Sequence, residues 1–219
     1  MSLKRISFLL IPVCLISAAG LFITCGKSQS ILSQGPIAAW GYNGSGQCDV
    51  PSPNSGFIAV AAGGDHSLGL RDDGSIAAWG KNDIGQCNVP SPNSGFIAVA
   101  AGAWHSLGLR EDGSIAAWGD GLYGQCDVPS PNSGFIAVAA GGKYSLGLRE
   151  DGSIAVWGGE RFRQCTVPSP NSGFIAVAAG RNHRLCLRND GSIVAWGSND
   201  DGQCDVPSPN SGFIAVAAG

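Results

Sequence analysis

The string PSPNSGFIAVAAG begins at Pro51, Pro90, Pro129, Pro168 and Pro207 without a single change, so the chain is a tandem array. The step is 39 residues: Trp40, Trp79, Trp118, Trp157 and Trp196 keep it, each followed by glycine, and so do Cys48, Cys87, Cys126, Cys165 and Cys204. A fixed period of this length means that one supersecondary unit is copied and that neighbouring copies bury each other's apolar faces. The fold has to be read at the level of the unit.

Within a unit the pattern is that of short strands. From Ser106 to Gly119, SLGLREDGSIAAWG, two apolar runs flank Asp112-Gly113, a pair favoured in tight hairpin turns because both residues tolerate positive φ. Upstream, Phe96 to Ala101 is a third run of β-branched and small residues, ended by Gly102. The two prolines of the Val89 to Gly95 stretch exclude a helix there, and no segment after residue 30 carries a helical apolar stripe. Three or four short strands every 39 residues predict an all-β chain, with a β-propeller as the first reading and a parallel β-helix as the second. The 34 glycines of the 219 residues fit many tight turns, since they lack the three-residue period of collagen.

The unit resembles the short bacterial form of the regulator-of-chromosome-condensation repeat. The elements that carry the resemblance are Trp79-Gly80, the loop Asn82 to Gln86, Pro90, Ala100 to Gly102, His105-Ser106 and the Asp112-Gly113 hairpin, and it extends over residues 37–219. The resemblance implies a seven-bladed propeller in complete members and a propeller face used for binding proteins. Four full units run from Ile37 to Ser192 and a fifth stops at Gly219, so the expectation is an open arc of about five blades. Unpaired strand edges on such an arc would invite edge-to-edge self-association.

The copies differ in two short windows. One follows each Trp-Gly and holds Tyr42, Lys81, Tyr123, Arg161, Phe162 and Arg163; the other follows each Ala-Ala-Gly and holds Trp104, Lys143, Tyr144 and Arg181. Fixed strands with changing loops is how a rigid scaffold carries binding residues, and Tyr, Trp and Arg dominate interface energies. These ten residues are the candidate contact set for a protein partner. Neutral drift between duplicates is the competing account, and the unchanged PSPNSG loop argues against it unless that loop packs on the next unit.

Catalytic, metal and cofactor chemistry finds no support in the pattern. The repeated cysteines have no Cys or His within four residues, which excludes the short spacing of a zinc site. They read as small buried residues, Cys186 likewise, and the Trp-Gly tryptophans read as packing residues between units. His66, His105 and His183 share one position that Tyr144 fills in the third unit, so a structural hydrogen bond accounts for them better than a ligand role. The chain is therefore read as a non-enzyme without cofactor, against a glycan hydrolase or a purely architectural surface protein as alternatives. A net charge of −3 with 13% charged residues excludes a nucleic-acid binder that relies on a basic stripe.

Residues 1–30 are a separate segment ahead of the 31–219 repeat domain. Lys4 and Arg5 precede an uncharged run from Ile6 to Gly26, the pattern of an export signal. Cys25 in Phe22-Ile23-Thr24-Cys25 is the candidate lipidated residue, with cleavage after the small residues near Ala19 or a retained membrane anchor as alternatives. Each outcome places the repeats outside the cytoplasm.

Overall fold

A computed structural model of the protein describes residues 36–159 and 166–219. The expected export segment with Cys25, and Arg161, Phe162, Arg163 and Cys165, lie outside the described residues. Among the described residues twelve strands form four antiparallel sheets of three, each in simple meander order. The first sheet is β1 (Phe57–Ala62), β2 (His66–Arg71) and β3 (Ile76–Gly80); the second is β4 (Phe96–Ala101), β5 (His105–Arg110) and β6 (Ile115–Gly119). The third is β7 (Phe135–Ala140), β8 (Tyr144–Arg149) and β9 (Ile154–Gly158), and the fourth is β10 (Phe174–Ala179), β11 (His183–Arg188) and β12 (Ile193–Gly197). Among the described residues there is no helix long and apolar enough to cross a membrane.

Each element follows from its residues. In β4 the register runs Phe96↔Arg110 and then Ala98↔Leu109, so Ile97 is bulged out of the ladder and 49% exposed. In β5 the alternation puts Leu107 and Leu109 on one buried face, while Gly108 passes beneath the Phe96 ring. A Cβ on Gly108 would stand 2.6 Å from Phe96 Cε1, so the close approach of ring to backbone requires glycine. The hairpin to β6 differs in detail from a two-residue turn. The Gly113 N–H donates to the Arg110 carbonyl (3.0 Å), Gly113 takes a left-handed φ of 76°, and the Asp112 carboxylate accepts from the Ser114 amide (2.9 Å).

The core lies between sheets. Leu68, Leu70 and Ile76 of the first sheet pack with Phe96 and Trp118 of the second; Leu107, Leu109 and Ile115 pack with Phe135 and Trp157. Leu146, Leu148 and Ile154 do the same with Phe174, Val177 and Cys186. The first strands of successive sheets lie against one another (β1 with β4, β4 with β7, β7 with β10), and no comparable packing joins the third strands. The sheets therefore converge at their first strands and splay at their third, which is the wedge geometry of propeller blades. Among the described residues no comparable packing joins the first sheet to the fourth, and the four sheets follow one another in an arc.

Three of the five Trp-Gly tryptophans bridge units as the repeat predicts, whereas Trp40, ahead of the first sheet, is 84% exposed. Trp79 Nε1 donates to the Gln47 carbonyl, Trp118 to Gln86 and Trp157 to Gln125, all at 2.9 Å, and each acceptor belongs to the preceding unit. The cysteines differ from expectation. Cys48, Cys87, Cys126 and Cys204 are half-buried, and each thiol points at the carbonyl six residues earlier, 3.2 Å away for Cys87. They pin the loop after Trp-Gly instead of filling a hole in the core. Cys186, standing where the other units have glycine, is fully buried.

Candidate functional site

Each sheet has two unlike ends. At one end stand the hairpin turns and the PSPNSG loops. Asn93 brackets the start of β3 with both amide atoms: its Oδ1 accepts from the Ile76 amide (2.8 Å) and its Nδ2 donates to the Ile76 carbonyl (2.9 Å). Asn132 does the same to Ile115, and Asn171 to Ile154. Arg110 lies over the Phe96 ring, 4.6 Å from its centroid, and reaches the Pro92 carbonyl at 3.3 Å. The loop is a clamp on the preceding sheet, and this is the physical reason for its constancy. Its invariance therefore says nothing for or against drift in the variable windows.

Both variable windows lie at the opposite end, side by side. The residue after Trp-Gly donates its amide to the residue before β2, β5 or β11: Lys81 to the Asp65 carbonyl (2.8 Å), Asp120 to Trp104 (3.0 Å), Ser198 to Asn182 (3.0 Å). Backbone bonds also join the windows of adjacent sheets, Gly64 N–H to the Gly102 carbonyl (3.3 Å), Ala103 to Gly141 (3.3 Å) and Gly142 to Arg181 (3.0 Å). Side chains then meet across the junctions. Lys81 Nζ sits 5.3 Å from the Trp104 ring centroid and Lys143 Nζ 4.0 Å from that of Tyr123. Lys143 and Arg181 are exposed, Lys81, Trp104 and Tyr123 half-buried, and Tyr42 is 76% exposed on the loop ahead of the first sheet.

Tyr144 leaves this set. It opens β8 and is fully buried, with its hydroxyl donating toward the Gly180 and His183 carbonyls. The reason is a layer of inter-sheet bonds beneath the windows. His66 Nε2 bonds Ser106 Oγ and His105 Nε2 bonds Ser145 Oγ, both at 2.9 Å, and both imidazoles are held at a pKa of about 4 by burial. At the third junction the pair is replaced as a unit: Tyr144 stands for His and Arg184 for Ser, and the buried guanidinium stacks 3.3 Å from the Tyr144 ring centroid. The signal was present in the sequence, since two adjacent units break their pattern 40 positions apart, at 144 and 184.

The first window also carries internal structure. Asn82 Oδ1 accepts from the Cys87 amide (2.9 Å) and its Nδ2 donates to Asn88 (2.8 Å), with Asn43 and Asn199 doing the same in their units. In the third unit Gly121 replaces this asparagine, and Leu122 projects with 88% of its surface exposed. Sequence reasoning passed over Leu122; an apolar residue in a polar, glycine-rich window was its available mark. Among the described residues no three His, Cys, Asp or Glu side chains gather as a metal site would require.

Wedge-shaped three-stranded sheets with a loop-bearing end define an arc of a β-propeller. Three stretches, residues 57–86, 96–125 and 174–203, match the Regulator of chromosome condensation (RCC1) repeat, so the chain carries RCC1-type repeats. Comparison with curated proteins gives no match. Among solved structures, the ectodomain of the Physcomitrella patens receptor kinase CR4 is similar at 24% identity and a TM-score of 0.63, over 77% of this chain and 48% of that one. Human WBSCR16 is similar at 21% identity and a TM-score of 0.62, over 81% and 64%. The CRINKLY WD40 ectodomain of the Arabidopsis thaliana receptor kinase ACR4 is 27% identical with a TM-score of 0.52, over 64% and 49%. The chain thus spans about half to under two thirds of the length of these structures.

Proposed function

We propose that the chain is a non-enzymatic protein-binding module that works outside the cytoplasm, with the variable end of its sheets as the contact face. RCC1-type repeats and a propeller fold support a protein-interaction module, and such propellers are generally binding or regulatory proteins. The observation that carries the finer reading is the meeting of both windows at one end, where Lys81 reaches Trp104 and Lys143 reaches Tyr123 across sheet junctions. Residues far apart in sequence form one continuous surface on a rigid scaffold, which is the arrangement a binding face needs. The export pattern of Lys4 and Arg5 ahead of the uncharged run to Gly26 supports placement beyond the membrane, and Cys25 is the proposed point of lipid attachment. The likeness to a receptor-kinase ectodomain agrees with that placement.

A photo-cross-linking residue placed at Leu122, and separately at Ser130 on the constant end, tests this in the native envelope. The expected result is a discrete adduct from position 122 alone, suppressed by Trp104→Ser with Tyr123→Ser. Equal adducts from both ends, or none from 122, would reject the proposed face.

A further inference from the structure

We infer that the partner presents an acidic side chain beside an apolar one, the carboxylate seated between Lys143 and Arg181 and the apolar group on Leu122 and Tyr123. This rests on the binding face proposed above and names the chemistry that the face selects.

Charge is unevenly spread along the variable end. Asp65 and Asp83 belong to the first sheet, Asp200 and Asp201 to the loop after the fourth, and the exposed cations Lys143 and Arg181 stand between them. Lys81 is already engaged, by Asp83 at 3.6 Å and by the Trp104 ring. Lys143 and Arg181 have no ion pair among the described residues. Asp120, an acid of the window that holds Tyr123, turns into its own loop, where its carboxylate accepts from the Leu122 amide at 3.0 Å.

The two cations are set side by side by the backbone. Gly142 donates its amide to the Arg181 carbonyl, and a Cβ on Gly142 would stand 3.3 Å from Arg181 Cγ, so the arginine stem lies across Gly142 next to Lys143. At the positions equivalent to Arg181 the other sheets carry Gly64, Ala103 and Gly142, so this one long side chain is peculiar to the fourth. The ammonium of Lys143 is held over the Tyr123 ring, which limits its rotamers before any partner arrives and reduces the ordering cost of binding. A guanidinium offers a planar fork matched to a carboxylate, and an ammonium at its side adds a second charge-assisted donor. Leu122, 88% exposed and next in the chain to Tyr123, supplies the apolar anchor that makes such a contact more than a surface ion pair. A chain of net charge −3 lacks the basic stripe that recognition of a phosphate backbone needs. A protein segment with a single well-placed acid fits instead.

The test uses the full chain and a displayed library of random peptides, with counter-selection on a Lys143→Glu, Arg181→Glu double variant. Both positions are exposed, and circular dichroism checks that the variants remain folded. Enriched peptides are expected to carry Asp or Glu next to Leu, Phe or Trp. Their affinity should fall about tenfold or more with either charge reversal, and equally when the peptide acid is changed to its amide. Enrichment of acid-free peptides, affinity indifferent to charge reversal, or no enrichment over the double variant would each overturn the inference. Peptides that respond to Trp104→Ser or Tyr42→Ser but not to the reversals would remove the acidic partner and keep the binding face. Peptides indifferent to every substitution at this end would remove both.

Discussion

At one end of the sheets Asn93, Asn132, Asn171 and Asn210 never change; at the other, the residues before the second strands read Asp65, Trp104, Lys143 and Asn182. Both ends tie neighbouring units together, but with different atoms. The asparagines tie with their side-chain amides, whose two atoms bracket one residue of the preceding sheet's outer strand. The variable windows tie with backbone amides and carbonyls, such as Gly142 to Arg181 and Ala103 to Gly141. A residue's identity is held where its side chain makes the inter-unit bond and released where the backbone makes it. The released end is not free throughout. Directly beneath it, His66–Ser106 and His105–Ser145 are buried side-chain bonds, and where that layer changes it changes as the pair Tyr144 and Arg184.

The contrast can be broken most forcefully at the constant end. Phe135, 2% exposed and covered by the Arg149 guanidinium 4.2 Å from its centroid, opens a strand there. Phe135→Ala should lower stability by about 4 kcal/mol, read as a shift of the urea midpoint. Acid should weaken the buried layer next. The imidazoles of His66 and His105 are depressed to a pKa of about 4 from an ordinary 6.5, so the unfolded chain takes up protons first as pH falls. Stability present above pH 6.5 is then lost down to about pH 4, at about 2 kcal/mol per histidine between pH 7 and pH 5. Urea titrations at the two pH values should show it, and a His105→Gln variant should show less of it.

Tyr144→His should cost about 2 kcal/mol, because it strips the ring from a buried guanidinium, and adding Arg184→Ser should recover more than half by restoring the His–Ser pair. Two destabilisations that merely add would show that the pair is not a unit. Asn132→Ala should cost about 1–2 kcal/mol, since Ile115 N–H and C=O lose their partner together. The smallest effects belong to the exposed windows. Leu122→Ser, Lys143→Ala and Arg181→Ala should each stay within about 0.5 kcal/mol of the parent in the same titration while weakening partner binding. A window substitution as costly as Asn132→Ala would erase the distinction between the ends.

Much of the scaffold was legible in the repeat. The runs Phe96 to Ala101, Ser106 to Arg110 and Ile115 to Gly119 became β4, most of β5 and β6, because alternation, β-branching and turn residues are local properties of the chain. That Trp-Gly tryptophans bridge units was legible too, since a large aromatic at a fixed period has to be buried on its neighbour. The windows could be located by their variation, but which of their residues face solvent could not. Trp104 and Tyr144 occupy neighbouring registers in successive units, and one joins a surface pair while the other enters the core.

The identical runs at 174–179 and 213–218 show where the boundary falls. The first, FIAVAA, is β10, paired with β11; the second follows the same course, with the Phe213 amide on the Gly191 carbonyl and the Arg181 amide on Gly219, yet forms no strand. Among the described residues no strand lies beside it to complete a ladder. The order of residues determined the period, the strand and turn positions and the small residues that let rings pass. Which copies pair, which side chains are covered and which distant loops touch were decided by the tertiary structure, because hydrogen-bond ladders and burial belong to a residue and its neighbour together.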